Sequence, residues 1–254
     1  MKNYLLILVL YLMTGCGQPA AQDATPAAPT APRTLPATWT PAPSPTTLPT
    51  NTPEPTPTLS PDIAVIEGVF GAYRSALLAE DGEAARNLVG RQTIAWYEEV
   101  LAYALVLPRE ELERLPFLKR LTVLIMRHNI PQETLLTHTG ESIFELAVNE
   151  GWIGRETVEQ VRLAKVTVNG DVGLATSNQA PDGPPVVHFI RENGEWKLNL
   201  ASMIVLQEQA FKQLLESEEM DESTTIIDMI HVTTGRPIDE RILDGPLPAS
   251  EFPP

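Results

Sequence analysis

Four histidines, His128, His138, His188 and His231, are the side chains best suited to proton transfer near neutral pH. None belongs to a His-x-x-x-His pair, and the single cysteine, Cys16, is remote from all of them in sequence. No zinc-ligand spacing results, so no metal and no other cofactor is expected. The chain also lacks a Gly-x-Ser-x-Gly elbow, a phosphate-cradling glycine loop and a dinucleotide fingerprint. His188 is the best single candidate, because it interrupts the apolar run Val186-Val187-His188-Phe189-Ile190, which reads as a strand. Facing a cavity, it would serve as a general base. No carboxylate lies close to it in sequence, however, and a histidine so placed is more often a half-buried strand residue. Arg191 could meet an anionic ligand, yet beside Glu192 and a turn signal it reads more simply as a solvated strand-end charge. Trp96 and Tyr97 could line a pocket, although aromatics at helical spacing are usually core. No catalytic residue is assigned.

These residues need elements to position them, and the apolar spacing supplies those elements. Ser60 and Pro61 form a helix start, after which Ile63, Ile66, Phe70, Tyr73 and Leu77 recur every three or four residues. Asp81-Gly82 breaks this first helix, a second runs from Glu83 to Val89, and a third from Thr93 to Ala104 before Pro108. Residues 109–150 read as further helix, except that periodicity cannot tell whether Leu121–Met126 is helix or a short buried strand. Three turn signals, Asn169-Gly170, Asp182-Gly183 and Asn193-Gly194, divide residues 158–203 into four antiparallel runs. In the last run Trp196, Leu198 and Leu200 alternate with Lys197 and Asn199, while the run around His188 has apolar residues on both faces. Helices over Val205–Leu215 and Ile226–Val232 follow, with a stop at Gly235 and Pro237. Helices followed by an antiparallel meander predict an α+β domain over residues 62–235, with a flexible acidic tail over 236–254.

This order of elements resembles the nuclear transport factor 2-like superfamily, which includes SnoaL-like and ketosteroid-isomerase-like domains. The resemblance is carried by the opening helix with Phe70 and Tyr73, the step ALLAEDGEAARNLV, and the meander VRLAKVTVNGDVGLATS…VVHFIRENGEWKLNLAS. It covers residues 62–203 and implies helices packed on a curved, cone-like sheet. A cavity in that cone would be lined by Phe70, Tyr73, Tyr97, His188 and Trp196. The helix-rich segment 109–150 departs from the family, which usually places a strand or hairpin there.

The N-terminal residues concern address rather than chemistry. Lys2, an apolar run from Tyr4 to Met13 and Thr14-Gly15 before Cys16 have the three parts of a secretory signal peptide over residues 1–15. That run is about half the ~20 residues that span a bilayer core. Leu12-Met13-Thr14-Gly15-Cys16 resembles the lipobox of bacterial lipoproteins, which implies a diacylglyceryl group on Cys16 and a membrane anchor on the extracytoplasmic face. Residues 16–61 then form a linker. Between Pro19 and Pro61, 13 of 43 residues are Pro and 11 are Thr, a composition that predicts a disordered spacer. Trp39 is the odd residue within it.

Charge bounds the partners. The chain has 33 acidic against 18 basic residues, a net of −15, and residues from Glu216 onward hold 10 acids against 2 arginines. Such a surface argues against nucleic acid and against direct contact with anionic lipid headgroups. The leading expectation is a lipid-anchored, non-catalytic domain that binds a small apolar ligand or an envelope protein. The alternative is a SnoaL- or ketosteroid-isomerase-like enzyme acting on a small apolar substrate, with His188 as base.

Overall fold

Ile66, Phe70, Tyr73, Ala76 and Leu77 line the buried stripe of the first helix, α1 (Pro61–Leu78), and Ile63 at its start is only half-buried. In this computed structural model the described residues are 61–252, apart from Gly154. The segment expected to be a signal peptide, Cys16, Trp39, Ser60 and the expected linker up to Ser60 lie outside them, whereas Pro61 opens α1. The chain leaves α1 through Glu80, which takes a left-handed φ of 56°, and Asp81 then caps α2 (Gly82–Arg86) by accepting from Ala84 N–H. Helix α3 (Arg91–Val106) ends before Pro108, and the sequence up to residue 150 continues as α4 (Arg109–Leu112), α5 (Phe117–Asn129), α6 (Gln132–Leu135) and α7 (Gly140–Asn149). Leu121–Met126 therefore belongs to a helix: Leu121, Leu124 and the buried Arg127 and His128 fall on one side of α5 at helical spacing. A short α8 (Arg155–Gln160) leads into the sheet.

The sheet comprises β1 (Leu163–Asn169), β2 (Val172–Ser177), β3 (Val187–Glu192) and β4 (Glu195–Leu198), in the order β1-β2-β3-β4 with every pair antiparallel. The fold is thus α+β, with ten helices among the described residues around one curved sheet. Two turn signals act as the sequence predicts. Asn193 (φ 52°) and Gly194 (φ 85°) close β3 on β4, and Gly170 (φ 59°) closes β1 on β2, with Asn169 itself already paired to Val172. The third does not make a tight hairpin. Asp182-Gly183 sits inside a longer connection, residues 178–186, folded on itself by Ala180 N–H to Ser177 O and Gly183 N–H to Ala180 O. The last strand also stops early, at Leu198. Asn199 accepts from Ser202 N–H and so starts α9 (Leu200–Ser217), making Leu200 a helix residue.

One face of the sheet is core. Ala175, Val187, Phe189, Trp196 and Leu198 are buried there, and α1 crosses them closely enough that Gly173 has no room for a Cβ beside Ile66. The other face carries Lys165, Thr167, Leu174, Thr176, His188 and Ile190; the start of α9 reaches it through Ser202, and the start of α3 through Gly90, against Ile190. Carboxylates from distant elements satisfy helix starts whose own N-cap residue offers no side-chain bond. Glu192 accepts from Arg91 N–H at the start of α3, and Glu208 accepts from Phe117 and Leu118 N–H at the start of α5 (2.6 and 2.8 Å). Each tie fixes one helix to another part of the fold as well as meeting orphan donors.

The expected loose tail beyond α10 (Glu222–Thr234) is corrected. Gly235 (φ 67°) ends α10 as predicted, but the chain then packs back through two 3₁₀ turns, Glu240–Leu243 and Ala249–Glu251. Ile242 and Leu247 are buried, which their apolar character drives against the acidic composition around them. Arg127 holds this strap. Fully buried, it donates to five backbone carbonyls: Tyr103, Ala104 and Leu107 at the end of α3, and Ile242 and Leu243 in the strap. The helix C-terminus offers its guanidinium a field of favourable sign. Burial lowers it to about 10, so it stays charged at neutral pH.

Candidate functional site

The five residues expected to line one cavity lie on two sides of the sheet. Phe70 packs edge-on to Phe189 (6.5 Å between centroids) and Tyr97 edge-on to Phe144 (5.2 Å). Tyr73 is 3% exposed and Trp196 4%. These four rings belong to the core between the helices and the inner sheet face, and burial raises both tyrosine phenols well above their ordinary range. They line no open pocket with His188, because β3 alternates: Val187 and Phe189 point inward and His188 points outward.

On the outer face, His188 Nδ1 lies 2.9 Å from Ser202 Oγ, whose hydroxyl also donates to Asn199 O. Burial is the larger influence on the imidazole and lowers its pKa, against a smaller opposing effect of the Pro185 carbonyl. The ring is therefore neutral at pH 7. A neutral imidazole beside a serine can accept or donate one proton, but no carboxylate among the described residues bonds to either group. Nothing in the sequence pattern pointed to Ser202. Its position follows from the strand ending at Leu198 and Asn199 capping α9, which brings the third residue of the helix over β3.

Arg191 does not meet solvent freely either. It lies over the Trp196 ring (4.6 Å) and pairs with Asp62 at 2.5 Å, while Asp62 also accepts from Trp196 Nε1 at 3.0 Å. This clasp ties the first turn of α1 to β3 and β4. The Trp196 and Arg191 bonds hold the Asp62 carboxyl below its ordinary value. Asp171, in the β1–β2 turn, lies 3.9 Å from Arg191, so the chain enters the domain at the end of the sheet where both tight turns sit.

The open relief is at the other end. A groove of about 250 Å³ runs over the outer face of β1 and β2 and is lined by Lys165, Thr167, Leu174, Thr176, Asp182, Gly183 and Pro185. Its wall is the 178–186 connection, pinned by Thr176 Oγ1 donating to Pro181 O. Lys165 and Asp182 line it from opposite elements, and neither has an ion-pair partner among the described residues. None of the cavity residues expected from the sequence lines it. The turn signal at Asp182-Gly183 was the one trace of it in the sequence, read there as a hairpin. Among the described residues no group of three or more His, Cys, Asp or Glu could hold a metal ion, and no helix is long and apolar enough to cross a membrane. No protein-family description, curated protein or solved structure matches this chain.

Proposed function

We propose that the chain is an exported lipoprotein, anchored through a lipid on Cys16, whose linker holds a non-catalytic protein-interaction domain away from the membrane on the extracytoplasmic side. One observation carries the non-catalytic part of this reading. The aromatic side chains that a cone-shaped binding site would need, Phe70, Tyr73, Tyr97 and Trp196, are packed into the core, and the one well-placed histidine faces away from them with a serine and a carbonyl for company. Helices followed by an antiparallel meander support a nuclear transport factor 2-like domain whose interior is filled. The polar groove then lies on the outer face, at the end of the sheet opposite the point where the chain enters.

The competing reading is a SnoaL- or isomerase-like enzyme with His188 as base, favoured by the neutral imidazole beside Ser202. Thermal-shift titration of the full chain with apolar probes, a steroid and a medium-chain fatty acid, separates the two. A filled core predicts no saturable stabilisation by either probe. Saturable binding that Phe70→Ala or Tyr97→Ala alters, with turnover lost in His188→Ala, would establish the enzyme and remove the interaction-module reading.

A further inference from the structure

The four-stranded sheet has one closed edge and one open edge. At β4, Leu198 N–H donates to Leu88 O (2.8 Å) and Gly90 N–H to Leu198 O (2.7 Å), so the α2–α3 connection covers that side. At β1 no strand pairs with the outer side among the described residues. Alternation shows which groups are left there. The odd-numbered residues of β2 turn toward β3, since Ala175 O accepts from Val186 N–H and Asp171 O from Arg191 N–H. Its even-numbered residues, Val172 and Leu174, therefore bond their β1 partners Asn169 and Thr167. Val166 and Val168 are left with N–H and C=O directed outward. The register shift between Leu163 and Val166 ends the regular edge, leaving Val166–Asn169 available.

We infer that β1 is a docking edge for an extended, acid-bearing segment of another protein, which adds as a fifth strand on Val166 and Val168 and places a carboxylate against Lys165. Backbone pairing supplies attachment, and alternate side chains reach into the flanking groove, where Leu174 and Pro185 offer apolar contact. Charge selects the occupant. Lys165 is exposed, borders both edge and groove, and has no acidic partner among the described residues, Asp182 on the opposite wall of the groove included. A second copy of β1 cannot supply one, because its sequence, Leu-Ala-Lys-Val-Thr-Val-Asn, contains no acid and would bring another lysine. This inference rests on the interaction-module reading and names its partner class. Binding of an apolar probe in the interior would remove that reading, whereas failure of a strand peptide removes the edge alone.

The test uses the full chain in detergent with two peptides that carry fluorescein on the N-terminal amine, fluorescein-Thr-Val-Glu-Val-Thr-Val-amide and the same peptide, its side-chain amine free, with Lys in place of Glu. The Glu peptide should bind about fivefold more tightly, the size of one exposed ion pair, and the preference should reverse in Lys165→Glu. Its binding should slow hydrogen exchange across residues 163–169. Val168→Pro removes an outward N–H without breaking the ladder, so it should abolish binding and leave the sheet folded at a modest cost in thermal midpoint from the lost Val168 packing, whereas Thr167→Pro should disrupt the sheet. Equal binding of both peptides, undiminished binding to Val168→Pro, slow exchange at Val166 and Val168 before peptide is added, or association of the chain with itself through this edge would each overturn the inference.

Discussion

At the scale of the residue, Arg127 and Asp62 each tie distant parts of the fold together through charge. Arg127 is buried with all five donors on carbonyls, so removing it strands those acceptors as well as the contacts. Arg127→Met should cost about 3–5 kcal/mol in urea denaturation, and Arg127→Lys should recover only part, because an ammonium cannot reproduce the planar fork. Asp62 gives a pH signature. Its carboxyl is held below the ordinary 3.8 in the folded chain, so its contribution is fully present above that value and is lost as pH falls through the lower folded value. Asp62→Asn should therefore lower the thermal midpoint at neutral pH and narrow its gap from wild type in strong acid; equal midpoints for the two proteins at neutral pH would show that the clasp contributes nothing. Neither role was legible in the sequence. A lone arginine inside an amphipathic pattern looks solvated, and only the returning strap makes Arg127 interior.

At the scale of the element, legibility followed the range of the signal. The helices of residues 61–150 and the strands around Asn169-Gly170 and Asn193-Gly194 follow from periodicity and turn chemistry within a few residues. Leu121–Met126 needed its neighbours: six apolar-rich residues fit either state until Arg127 and His128 extend the helical face. The 178–186 connection departs from the expected hairpin because Asp-Gly tolerates a tight turn without compelling one, and here the backbone is drawn instead to Ser177, Ala180 and Thr176. The strap is not legible in the sequence because the acidic composition conceals two buried apolar anchors, Ile242 and Leu247. Gly82 shows a close approach of elements. A Cβ there would lie 2.7 Å from Glu145 Cα on α7, so α2 and α7 can touch only through glycine. Gly82→Ala should cost about 1–3 kcal/mol by chemical denaturation, and a neutral result would mean that the α2–α7 contact gives way easily.

At the scale of the whole molecule, the described domain has its entry point and its open groove at opposite ends of one sheet, with the interior filled. The proposed interaction module would then bind through backbone edge and surface charge, since the aromatic interior is packed. The candidate site was the least legible part of the chain, because Lys165 and Asp182 come together only through the register of β1 on β2 and the path of a loop. The central claim is attachment through lipid at Cys16. Intact-mass and peptide mass spectrometry of the chain purified from bacterial membranes tests it most directly. The account predicts a mature protein that begins at Cys16, carries the mass of a diacylglyceryl group there, and leaves the membrane fraction in Cys16→Ala. A chain that retains residues 1–15, or begins at an unmodified Cys16, would contradict it.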